Sequence, residues 1–152
     1  MDYVKKYRNI INELIKKDFP ALKGHKIIVE EKNFIYRAKV SYLPWGMRII
    51  VGEKLRKFPE KSVRRILFHE LCHLEIFKRD GWFRTNLGWF SWIFKSRESK
   101  IKCASEREAN VLMIKKGHWK EVMTARKGNI TRGLPYALSL EEIKYYMKLY
   151  SK

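Results

Sequence analysis

The chain has 152 residues, and its 34 Lys and Arg against 16 Asp and Glu leave a formal net charge of +18. A hydrophobic fraction of 45%, 14% of the chain being aromatic, supports an ordinary core at this length, which excludes disorder and any need for disulfide staples. No run of 18 or more uncharged apolar residues occurs, which excludes a membrane-spanning helix.

In chain order, Val4, Tyr7, Ile10, Ile11, Leu14 and Ile15 recur at helical spacing, and Pro20 and Gly24 close the run, so a first amphipathic helix is expected to end near Phe19. Three short β-rich pieces come next, at 26–30, 33–41 and 47–51, the second with alternating Phe34, Tyr36, Ala38 and Val40, the third after a turn at Pro44, Trp45 and Gly46. Pro59 stands at a first helical position, and Val63, Ile66, Leu67, Leu71 and Leu74 carry a helical stripe to about Lys78, ended by Asp80 and Gly81. Residues 81–95 form a Trp-rich insert. A third helix is expected over 97–116 with Gly117 as its stop, a shorter one over 120–126 stopped by Gly128, and a loop over 128–135. Ser139 and Glu142 make a capping-box pair, which places the last helix at 140–150. There is no internal repeat and no low-complexity linker, so one domain over 1–152 is expected, of α+β class. Its small antiparallel or mixed sheet would pack on the first two helices.

The second helix contains His69-Glu70-Leu71-Cys72-His73, an H-E-x-x-H pattern. Four residues advance a helix by about 400°, so both imidazoles leave one face a turn apart and can share one metal ion. Glu70 stands about 100° round from His69, placed to take a proton from a metal-bound water rather than to ligate. A catalytic zinc wants three protein ligands and one open position, and no third histidine lies close behind, the next being His118.

The third expected helix carries Glu106-Arg107-Glu108-Ala109-Asn110 instead. With the H-E-x-x-H helix, this resembles the gluzincin metallopeptidases, whose third ligand is a glutamate on a downstream helix. It is especially similar to the E-x-x-A-[ND] pattern of the HtpX and CAAX-prenyl-protease group and of the ImmA/IrrE-like proteins. The resemblance covers about residues 47–117, and without transmembrane helices the nearest picture is a soluble minigluzincin. It implies a zincin-like fold, one Zn2+ per chain held by His69, His73 and Glu106, and a metallopeptidase in which Glu70 is the general base. It further implies that Asn110, one turn after Glu106, accepts a hydrogen bond from the outer ring nitrogen of a ligating histidine. The prenyl-protease group usually has Asp there. Glu108 is the alternative ligand; it lies about 200° from Glu106 on the helix, so only one of the two can face the metal. Residues 47–74 also resemble SprT-like domains, which complete their site with a third histidine that is missing here.

Zincins bind an extended peptide by strand addition along an edge strand, and residues 47–51 are the expected edge. His118, Arg132, Tyr136, Tyr145 and Tyr146 are all candidates for the oxyanion donor. Cys72 and Cys103 read as small core residues, and His25 and His118 as turn and helix-cap residues rather than ligands. Two cysteines, and a start lacking the basic-then-apolar run of a signal peptide, suggest a reduced, cytoplasmic setting. Trp82, Phe83, Trp89, Phe90, Trp92 and Phe94 either cover the core and cleft or meet a membrane interface. Basic pairs such as Lys16-Lys17 and Lys115-Lys116 run the whole length, so a protein or peptide substrate is expected to be met near an anionic surface, nucleic acid or membrane. The competing reading is a basic binding or regulatory protein with a structural or non-catalytic metal site.

Overall fold

The chain is α+β, with five α-helices and one three-stranded mixed sheet among the residues that the structure, a computed structural model, describes: 2–33, 37–90, 95–127 and 137–151, with side chains over 2–33, 37–81, 104–127 and 137–151. It divides into two compact units, Met1–Thr85 and Asn86–Lys152.

In the first unit, the Asp2 side chain accepts from the Lys5 backbone N–H at 3.0 Å and so opens helix α1, Tyr3–Asp18. Tyr7, Ile10, Ile11 and Leu14, spaced to share one face, are buried, as the periodicity requires. A short 3-10 helix at Pro20–Leu22 turns the chain into the sheet, formed by β1 (Ile27–Lys32), β2 (Ala38–Leu43) and β3 (Gly46–Gly52). The order is β1-β3-β2, with β1 parallel and β2 antiparallel to β3, and with Val29 and Val40 both opposite Ile49. Residues 47–51 are therefore the central strand, and the expectation of an edge there is corrected. Both sides of β3 are committed to ladder hydrogen bonds, and Met47, Ile49 and Val51 are wholly buried on one face.

The turn before β3 depends on Gly46. Its φ of +155° and a would-be Cβ only 3.2 Å from the Lys26 carbonyl leave little room for a side chain, while the neighbouring Met47 N–H donates to that same carbonyl at 3.1 Å. Helix α1 lies against β1. Expected strand positions Phe34 and Tyr36 lie outside the described residues.

Helix α2 is Glu60–Phe90. Pro59 precedes it rather than occupying its first turn, and the Pro59 carbonyl accepts from Ser62 and Val63. The expected stop at Gly81 is only a break: Gly81 leaves helical geometry (φ 78°, ψ 160°), and helical turns resume beyond it. Val63, Leu67, Leu71 and Leu74 form the buried stripe. Phe68 meets Phe19 at 4.8 Å between ring centroids, and Arg64 pairs with Glu13 at 2.7 Å, which ties α2 to α1.

The second unit holds α3 (Lys95–Lys115), α4 (Trp119–Lys127) and α5 (Leu140–Tyr150), each in contact with the other two. Gly117 (φ 86°) ends α3 in a Schellman motif: its N–H donates to Ile114 and that of His118 to Met113, both at 2.9 Å. His118 thus has the capping role expected of it. Ser139 and Glu142 form the expected capping box. Helices α3 and α5 meet at two levels, by the Arg107–Glu142 ion pair and by Lys115 over the Tyr150 ring at 5.8 Å. Each helix advances eight residues between the two contacts, so they run in the same sense. The loop expected at 128–135, with Arg132, and Tyr136, Trp92 and Phe94, lie outside the described residues, as do the side chains of Trp82, Phe83, Trp89, Phe90 and Cys103. No helix among the described residues is long and apolar enough to cross a membrane.

Candidate metal centre

Helix α2 supplies His69, Glu70 and His73. A rise of about 1.5 Å per residue would separate their backbones by about 6 Å over one turn, yet the two Nε2 atoms are 3.1 Å apart. The rings meet edge-on at 84°, with centroids 4.8 Å apart. His73 is 5% exposed, and its ring lies 6.0 Å from that of Phe77 on the next turn. Phe77 was not anticipated from the sequence; its signal was the four-residue step from His73, which puts it on the same face. A buried imidazole needs its polar atoms satisfied. Neutral imidazoles at this distance can share one proton between the two Nε2 atoms, or both can turn a lone pair toward one cation.

Whether the pair fits a metal is a matter of arithmetic. With Zn–N bonds of about 2.0–2.1 Å and tetrahedral angles, two ligand nitrogens stand about 3.3 Å apart. The observed 3.1 Å falls short of that by a few tenths of an ångström, within the reach of small rotations of the two rings. Glu70 lies half-buried between the two histidines in sequence. Cys72, also inside the motif, is wholly buried among apolar residues of α2 and has the core role expected of it.

In the second unit, Glu106 and Asn110 are both half-buried and stand one turn apart on α3. The Asn110 Nδ2 donates to the Glu106 backbone carbonyl at 2.9 Å, which fixes the amide along the helix and leaves Oδ1 as its acceptor atom. Glu108 is also half-buried. Arg107, between the two glutamates, is the side chain that reaches Glu142 and the α5 cap. That pairing was not anticipated, because it joins residues 35 apart in sequence. The Glu142 carboxyl is held below the usual carboxylate range by the Ser139 backbone N–H first and by Arg107 as well.

Of the oxyanion candidates in this unit, His118 lies 3.7 Å from Glu121. Tyr145 is largely exposed, and Tyr146 stacks on Tyr150 with ring planes 7° apart. Comparison with protein-family models, with curated proteins and with solved structures finds no match for this chain.

Proposed function

We propose that the chain is a zinc-dependent peptidase of gluzincin type with a zincin-like fold, in which His69, His73 and Glu106 hold one Zn2+ and Glu70 is the general base. The observation that carries the reading is the imidazole pair of α2, whose Nε2 atoms are 3.1 Å apart, and Glu106 is the third ligand that the resemblance to the gluzincins supplies. Two imidazoles and one carboxylate are a donor set suited to zinc with a fourth position open.

Zinc bound there would supply a water of pKa about 7 and polarise a peptide carbonyl. The remaining work falls to the chain. Glu70 takes the proton of the attacking water and returns it to the leaving amine, so the residue ends the cycle as it began. The Asn110 Oδ1 would accept from the outer ring nitrogen of a ligand histidine and set its tautomer. With β3 enclosed, an extended substrate would add to the sheet at β1 or β2, the outer strands among the described residues.

The test is cleavage of an unfolded protein by purified wild-type chain and by Glu70→Gln. The expected result is a loss of at least about 100-fold in Glu70→Gln with its metal content unchanged. Equal cleavage by the two proteins, or none by the wild type across a diverse peptide library, would contradict the reading and favour a binding or regulatory protein.

A further inference from the structure

The outward face of α1 has no part in the proposed chemistry. Lys5, Arg8, Asn9, Asn12 and Lys16 are all exposed, and at about 100° per residue they fall within a fan of about 100° on one side of the helix. The opposite side is the buried row of Tyr7, Ile10, Ile11 and Leu14. The carboxylates of α1 and its cap lie outside this fan: Asp2 caps the first turn, Glu13 pairs with Arg64, and Asp18 ends the helix on another side. The face is left with three cations and two amides, without a carboxylate or an apolar side chain. Among the described residues, the side chains of Lys5, Arg8 and Lys16 have no carboxylate within ion-pair distance.

We propose that this face docks on double-helical DNA. Three classes of anionic partner make different demands, and composition separates them. An interfacial helix needs apolar residues beside its lysines, and here the apolar row is already buried in the core. A single strand is held by stacking on aromatic rings, and this face carries none. A duplex asks for donors along a helix, which is what the face offers: lysines for phosphates, with Arg and Asn for phosphates or base edges. The length agrees too. The eleven steps from Lys5 to Lys16 span about 16 Å, and the major groove, about 12 Å wide, admits an α-helix. Lys5 and Lys16 then reach the phosphates at the two margins, while Arg8, Asn9 and Asn12 stand between them.

The experiment is fluorescence anisotropy of a labelled 20-base-pair duplex of mixed sequence, titrated with the full chain at several salt concentrations, with a single strand and anionic vesicles as parallel arms. Wild type is expected to bind the duplex with affinity falling steeply as salt rises. Lys5→Gln/Arg8→Gln/Lys16→Gln is expected to lose at least about tenfold in affinity and about two to three units of the logarithmic salt slope. Lys127→Gln/Lys144→Gln/Lys148→Gln removes the same charge from exposed positions of the second unit and is expected to lose less than about threefold. Circular dichroism checks that both variants fold, and Arg8→Glu alone, at an exposed position, replaces the first triple if that one does not. Equal losses in the two triples, or tighter binding to single strand or vesicles than to the duplex, would overturn the proposal. Binding that persists in His69→Ala would separate this face from the metal reading.

Discussion

The phenol of Tyr7 is buried to 1% exposure, and its oxygen finds no hydrogen-bond partner among the described residues. Burial first, and the nearby Glu31 carboxylate second, raise its pKa above the ordinary 10.0. A folded-state value above the unfolded one gives stability that is fully present below the unfolded pKa and is lost as pH rises through the folded value. Tyr7→Phe removes the stranded hydroxyl and keeps the ring, so it is expected to leave stability unchanged or to raise it by up to about 1 kcal/mol. It should also flatten the loss of stability above pH 10, read from chemical denaturation at pH 8 and at higher pH. A drop of more than about 2 kcal/mol would mean that the hydroxyl has a partner. At this scale the sequence was informative about burial and poor about partners. The spacing of Tyr7, Ile10, Ile11 and Leu14 marks the inward face of α1, and that of His69 and His73 marks a shared helical face. The raised pKa of Tyr7 depends in part on Glu31, a β1 residue 24 positions away in sequence, which no local pattern reveals.

Helix α5 depends on its first turn. Ser139 accepts from the Glu142 N–H at 3.1 Å, and Glu142 accepts in return from the Ser139 N–H at 2.7 Å while also pairing with Arg107. Ser139→Ala is expected to cost about 1 kcal/mol of stability. The lowered pKa of Glu142 means stability that is present above the unfolded carboxylate value and lost as pH falls through the folded one. Thermal melts of wild type and Glu142→Gln between pH 3 and 7 should therefore converge toward the acid end, and a constant gap would contradict this. The cap was legible because a capping box is local. Strand order was not: it depends on pairings between β1 and β3, 20 residues apart in register, with β2 and its turn between them. A weaker clue lay in the run Ile49-Ile50-Val51, since unbroken apolar strands belong in the middle of sheets. Gly81 marked a break in α2, but a residue free to take positive φ can kink a helix as well as end it.

For the molecule as a whole, the surplus of +18 is shared by both units, and charge of one sign repels itself in any compact state. Raising salt from about 10 to about 200 mM shortens the screening length from about 30 to under 8 Å, so the melting temperature is expected to rise over that interval. A fall would show that attractive ion pairs such as Arg64–Glu13 and Arg56–Glu31 outweigh the net repulsion. The charge concerns where the chain meets its partners. The central claim concerns what His69, His73 and Glu106 hold, and elemental analysis of protein purified under zinc-replete conditions tests it most directly. The account expects one zinc per chain in wild type and in Glu108→Ala, and none in His69→Ala, His73→Ala or Glu106→Ala. No zinc in the wild type, or zinc kept by Glu106→Ala and lost by Glu108→Ala, would contradict it.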